Sequence, residues 1–165
     1  MTCAVSAGYW SFTTGMDHNL LATSTGPNLC LGVSPGTDFS SAAFTPLAQY
    51  ACPDLSFAST WTWTKSSTLG YFTATDQTGK YCLAFDGVGA LEVDAVGVSP
   101  CTGDNNQQFQ IIQAFAGYNI RAVNSNSLDR TVCIGVDFAS SDIGASVKLW
   151  VVPWADFQLC LLLAE

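Results

Sequence analysis

The strongest constraint on this chain is that it repeats three times. Cys30, Cys82 and Cys133 each open a similar phrase, CLGV, CLAF and CIGV, at separations of 52 and 51 residues. Trp61, Phe109 and Phe157 recur at intervals of 48, and each is followed two positions later by a large apolar residue: Trp63, Ile111 and Leu159. The dipeptide Gly-Tyr stands at Gly8-Tyr9, Gly70-Tyr71 and Gly117-Tyr118. The order never changes: Gly-Tyr, cysteine phrase, aromatic-x-apolar. A period near 50 residues marks a supersecondary unit that cannot bury its own apolar face and must share a core with its copies.

Within each unit the local pattern is that of strands. The segments YFTAT, YNIRAV and VKLWVV, which begin at Tyr71, Tyr118 and Val147, are short and rich in β-branched or aromatic residues. Turn formers separate such segments, among them Ser34-Pro35-Gly36, Thr78-Gly79, Asp86-Gly87 and Thr102-Gly103-Asp104-Asn105. No long stripe of period 3.6 appears, so the chain is read as all-β with about four strands per unit and about twelve in total. Three units are too few for a many-bladed propeller. A closed pseudo-threefold assembly is the economical solution, and that is a β-trefoil. We expect one domain over residues 1–165, with three pseudo-equivalent four-stranded repeats at about 3–63, 64–111 and 112–160. Leu31, Val33, Leu83, Phe85, Ile134 and Val136 flank the three cysteines at alternating positions and are expected in the core, with Trp61, Phe109 and Phe157.

Composition narrows the function. At 48% apolar and 12% aromatic residues the chain can bury a core, which excludes disorder. Thirteen acids against five scattered bases (Lys65, Lys80, Arg121, Arg130, Lys148) leave a net charge of −8. Nucleic acids and heparin-like polyanions need a basic stripe, so neither is an expected partner. No apolar run approaches the ~20 residues of a membrane span. The polarity is neutral, with 32 Ser and Thr against 18 charged residues. Such a surface suits uncharged hydroxylated ligands.

Seven cysteines with a single histidine and no C-x-x-C favour disulfides over zinc or thioredoxin-like chemistry. That places the protein in an oxidising, secreted or extracellular setting. The first ten residues, MTCAVSAGYW, have no basic region followed by an apolar run. Removal of a signal peptide before this numbering and export by another route both stay open.

In the second unit Cys82-Leu83-Ala84-Phe85 leads to Cys101 and then to Asn105-Asn106-Gln107-Gln108-Phe109. This resembles the Cys…Cys…Asn-Gln-x-Trp pattern of the ricin B-chain (QxW) lectin family, with Phe109 in place of Trp. The resemblance runs through residues ~8–160, with parts of the pattern in units one and three. It implies a β-trefoil and a non-enzymatic carbohydrate-binding protein, without cofactor, whose partners are glycans or glycoproteins. It also implies a disulfide inside each repeat. Cys30–Cys52 and Cys82–Cys101 fit, each worth roughly 3 kcal/mol in the loop-entropy model. Cys133 has its partner position near Val152, so the third bridge is missing. A closed trefoil brings its first and last strands together, so Cys3–Cys160 is expected as a clasp, with Cys133 left as a buried thiol. The alternative pairs Cys3 with Cys133 and leaves Cys160 free.

The resemblance also implies where sugar would bind. Members of the family place an Asp two residues after the first Cys, an aromatic two before the second, and Asn-Gln before the last Trp. Here the Asp position holds Gly32, Ala84 and Gly135. Unit two keeps Asn106 and Gln107, but has Ser99 at the aromatic position, so a ring must come from elsewhere, with Phe85 and Tyr81 as candidates. Units one and three keep the rings, Tyr50 and Trp150, without the amides. Asp86 and Asp137 stand two positions beyond the family's Asp. They either reach a ligand or cap turns, as Asp readily does. Gln107 likewise either binds sugar or ties down the backbone of its own loop. The carbohydrate-binding candidates are therefore Asp86, Asn106, Gln107, Tyr50, Asp137 and Trp150, with unit two foremost.

Catalysis finds little support. His18, beside Asp17, sits in a loop-like stretch with no nucleophile elbow, and Glu92 with Asp94 reads as a solvated pair. Two other functions stay open. One is a self-assembling extracellular structural protein, a homo-oligomer, on the strength of a mean hydropathy of +0.27. The other is a protease inhibitor presenting Arg121 or Arg130 on an exposed loop.

Overall fold

The computed structural model describes residues 10–12, 19–23, 29–34, 37, 42–51, 60–65, 72–76, 78–87, 94–114, 117–123, 131–137 and 140–152. Alternating or continuously apolar β-formers make these segments strands. Unit one holds β1 (Trp10–Phe12), β2 (Asn19–Thr23), β3 (Leu29–Gly32), β4 (Thr45–Pro46) and β5 (Ala48–Ala51). Unit two holds β6 (Thr60–Lys65), β7 (Phe72–Thr75), β8 (Tyr81–Phe85) and β9 (Val96–Pro100). Unit three holds β10 (Phe109–Ala114), β11 (Gly117–Ala122), β12 (Thr131–Val136) and β13 (Val147–Val152). Asn105–Gln107 form a 3-10 turn.

Six strands close a ring. β1 pairs with β2, β2 with β6, β6 with β7, β7 with β10, β10 with β11, and β11 back to β1, all antiparallel. A closed barrel leaves no open edge. Each unit then adds a hairpin, β3–β5, β8–β9 or β12–β13, through its first strand. The hairpins also meet one another: β4 pairs with β9, and bridges join Ala48 to Ser146 and Ala95 to Lys148. Barrel plus triangular hairpin cap is the β-trefoil expected from the repeat. The strands bearing Trp61 and Phe109 open the next unit's barrel hairpin, so the expected repeat limits at 63/64 and 111/112 fall inside β6 and β10.

Unit one departs from its copies because its fourth strand is split at Leu47. That residue's N–H donates to Val96 O at 2.8 Å, and its own carbonyl accepts from Val147 N at 3.2 Å. One backbone position thus joins all three units.

The core is a stack of pseudo-threefold layers. Pairing Leu31 with Gln49, Leu83 with Val98 and Ile134 with Leu149 fixes the correspondence between units. Leu31, Leu83 and Ile134 form one layer, Val33, Phe85 and Val136 another, and Leu47, Val96 and Val147 a third, all buried. Trp61 and Phe109 have no exposed surface, and Phe109 meets Phe85 edge-on with centroids 6.3 Å apart. Phe157 lies outside the described residues. Each such side chain stabilises the fold by about 1.5–3 kcal/mol through burial.

The same register orders the cysteines. Cys30 lies opposite Tyr50, Cys82 opposite Ser99 and Cys133 opposite Trp150, so Cys101 and Val152 hold equivalent positions. Cys82 is bonded to Cys101, with Cα atoms 5.0 Å apart. Cys30 is disulfide-bonded. Its expected partner Cys52, and Cys3 and Cys160 of the expected clasp, lie outside the described residues. Cys133 is a free, fully buried thiol.

Burial pushes the Cys133 thiol up to about 12, and the nearby Arg121 guanidinium opposes this only weakly. The thiolate is the reactive form, so at pH 8 Cys133 should resist alkylation in the folded protein and react at once after unfolding. Peptide mapping of iodoacetamide-treated protein checks this; rapid native labelling at Cys133 would contradict the burial. Because the folded protein holds this proton more tightly than the unfolded chain, the stability it contributes is complete below pH ~9 and is lost above it.

Candidate carbohydrate-binding faces

The loop after Cys101 is organised by one amide. Gln107 is 1% exposed. Its Oε1 accepts from the backbone N–H groups of Thr102 (2.9 Å) and Gly103 (3.1 Å), while its Nε2 donates to Ser99 Oγ and Pro100 O, both at 2.8 Å. Gly103 has φ 78°, a left-handed conformation suited to glycine, which lets two successive N–H groups converge on one oxygen. Gln108 adds a bond from Nε2 to Gly103 O at 3.2 Å. Of the two roles left open for Gln107, the structure assigns loop bracing, since both donors and the carbonyl oxygen are already engaged. Replacing it with Ala should loosen residues 101–108 and lower stability by about 1–2 kcal/mol, because the loop N–H groups are exposed enough for water to replace part of the loss. Hydrogen exchange confined to this loop, with the melting temperature, measures the effect.

Bracing by Gln107 positions its neighbour. Asn106 Nδ2 donates to Phe85 O at 3.1 Å, docking the side chain on the end of β8. Asp86 is the next residue. Its N–H donates to Ala95 O at 2.9 Å and its side chain is exposed. Residues 20 positions apart are thus brought to one rim, where an exposed carboxylate and an amide together can accept from and donate to neighbouring hydroxyls. Phe85 is fully buried in the core and cannot stack on a ligand, Tyr81 is half-buried against the same core, and the Ser99 hydroxyl is taken by Gln107.

Asp137 is the counterpart of Asp86, and its N–H donates to Ser146 O at 2.8 Å. One of its carboxylate oxygens is engaged: Oδ2 accepts from Lys148 Nζ at 2.6 Å and Ser146 Oγ at 3.1 Å, while Oδ1 is buried without a hydrogen-bond partner. The difference has a steric origin. Lys148 faces Gly135 as Gly97 faces Ala84, and a Cβ on Gly97 would run into the Phe44 ring and the Thr45 carbonyl. No cation can stand there, so Asp86 stays unpaired among the described residues.

Tyr50 and Trp150 are half-buried, each opposite its unit's first cysteine. Trp150 and Asp137 lie on one face of unit three but are separated by roughly 13 Å along the strands. The candidates therefore divide among the units: Tyr50 in unit one, Asp86, Asn106 and Gln107 in unit two, Asp137 and Trp150 in unit three. His18, Asp17, Glu92 and Arg130 lie outside the described residues. Arg121 sits within β11 and is half-buried, so it is not the exposed-loop residue that the inhibitor reading required.

Comparison with known proteins agrees with this architecture. A ricin-type beta-trefoil lectin domain-like family model matches residues 57–150. No curated protein matches the chain. Among solved structures, the designed threefold-symmetric protein ThreeFoil is similar with TM-score 0.63 and 19% identity over 78% of this chain and 85% of its own. The cytolethal distending toxin of Haemophilus ducreyi gives 0.54 and 17% over 92% and 77%. A structure described as the PSL1a-E64 complex gives 0.58 and 15% over 92% and 55%. At these identities the structural likenesses establish the fold alone. The sequence match spans more than half of the chain, and the chain belongs to the ricin-type β-trefoil lectin domain-like family.

Proposed function

We propose that this chain is a secreted, non-enzymatic lectin that binds glycans or glycoproteins, with its principal site in unit two. The observation that carries this reading is the rim formed by the exposed Asp86, unpaired among the described residues, and by Asn106 fixed on Phe85 O. Asn106 Oδ1 and the Asp86 carboxylate accept from sugar hydroxyls, while the bonds made by Gln107 hold the loop in place. Family membership and the neutral, hydroxyl-rich composition support the same reading. The Cys82–Cys101 disulfide is compatible with an oxidising compartment. Among the described residues no helix is long and apolar enough to cross a membrane, and the one large hydrophobic that is exposed is Ile143.

A broad glycan array at high protein concentration is the first test, and silence across neutral and acidic glycans from folded protein would sink the reading. On any glycan that binds, Asn106→Ala should weaken affinity five- to tenfold, the worth of about 1 kcal/mol of hydrogen bonding, and should lower the melting temperature by roughly 2–4 °C because the bond to Phe85 O is lost as well. Unchanged affinity in that variant would remove the site from unit two.

A further inference from the structure

We propose that the outer face of unit three selects saccharides that carry a carboxylate, with Arg121 as the residue that recognises the acid; this rests on the carbohydrate-binding reading above. Strand pairing builds the face. Gln110 pairs with Arg121, Arg121 with Cys133, and Cys133 with Trp150, making one row across β10 to β13. Directly paired residues project to the same side of a sheet. Two positions along, Ile112 pairs with Asn119 and Gly135 with Lys148, making a second row on that side. Cys133 and Gly135 are buried and form the floor. Trp150, Arg121 and Lys148 are half-buried around it.

Arg121 is the unexplained member. Its Nε is buried without a hydrogen-bond partner. The one ion pair among the described residues joins Lys148 to Asp137, so Lys148 is already neutralised, while the Arg121 guanidinium has no carboxylate partner among those residues. Beside it Asn119 is 4% exposed, with Oδ1 buried and unpaired. Holding a cation partly out of water without a counter-ion is unfavourable. The equivalent positions, those paired with Cys30 and Cys82, are Ala22 and Thr75, so the fold itself does not need a cation here. A bound carboxylate resolves the imbalance: a guanidinium presents two parallel N–H groups to it in a charge-assisted fork. From Arg121 to Trp150 the row spans two strand spacings, about 10 Å, the scale of two linked sugar rings. The acidic ring would meet Arg121 and its neutral neighbour the Trp150 indole.

The test titrates the full chain by calorimetry with sialyllactose and with lactose at equal ionic strength. Sialyllactose should bind at least tenfold more tightly, and the margin should shrink as salt rises. Arg121→Gln should bring sialyllactose down to the lactose level, whereas Arg121→Lys should keep part of the preference. Should Arg121→Gln not fold, the unmodified chain and its salt series decide the matter alone. Equal affinity for the two sugars, or a preference that survives Arg121→Gln, would overturn the proposal and leave the lectin reading standing. If the chain binds no saccharide, neutral or acidic, both fall together.

Discussion

Gln49→Ala should lower the unfolding free energy by about 3 kcal/mol, a large share of a small domain's ~5–15 kcal/mol. Gln49 occupies the layer position held by Val98 in unit two and Leu149 in unit three, and it is as buried as they are. Its Nε2 donates to Ser140 O at 2.7 Å and to Asp142 O at 2.8 Å, more than 90 residues away. Its backbone joins the same loop, the N–H donating to Ala145 O and the carbonyl accepting from Gly144 N. Truncation removes both side-chain bonds and leaves a cavity between units one and three. Gln49→Leu separates the two contributions. It restores the apolar character found at the other two positions and fills the space, so it should cost only about 1 kcal/mol while residues 140–145 exchange faster. Urea unfolding of both variants measures this. A loss under 1 kcal/mol for Gln49→Ala would mean that this amide does not couple the units.

Val152→Cys should work in the opposite direction. Unit three retains the first cysteine of the repeat disulfide, and Val152 holds the position of Cys101, 19 residues beyond Cys133 as Cys101 is beyond Cys82. Thr131 pairs with Val152 in the same ladder that sets Cys133 against Trp150. Oxidation would then close a loop of the same length as the existing one, worth roughly 3 kcal/mol in the loop-entropy model. For a domain of this size that corresponds to a rise of roughly 6–12 °C in melting temperature. Non-reducing peptide mapping should recover Cys133 linked to position 152. An unchanged melting temperature with the crosslink present would show that strain offsets the entropy, and no crosslink at all would contradict the register.

The repeat made the architecture legible because it operates at the level of whole units. The family resemblance put the missing partner of Cys133 near Val152, and the ladders of β8–β9 and β12–β13 make Cys101 and Val152 equivalent. Alternation around Cys30, Cys82 and Cys133 predicted six core residues, and all six are buried. The site was less legible, because pseudo-symmetry describes the average unit whereas binding depends on departures from it. Gln107 carries the family's residue type, yet only the loop geometry shows its amide fully engaged. Phe85 was a candidate ring by proximity in sequence, but period-two alternation already placed it inward. Gln49 carries no mark in its local sequence, because its partners, Ser140 O and Asp142 O, lie more than 90 residues away. Arg121 was read as a base on an exposed loop, and only the sheet shows it within β11 between Gln110 and Cys133, neither of them acidic.

Closure of the barrel also sets an order of events during synthesis. Trp10 pairs with Tyr118, 108 positions later, so the ring stays open until β11 has been made. Until then β1 and β7 lack their unit-three partners, β11 and β10, and present unpaired backbone edges. At ~5–20 residues per second, an emerging chain carries those edges for several seconds or longer. A ribosome that stalls within unit three therefore holds an adhesive fragment rather than two-thirds of a stable protein. For this fold the last unit translated determines whether the first two remain soluble.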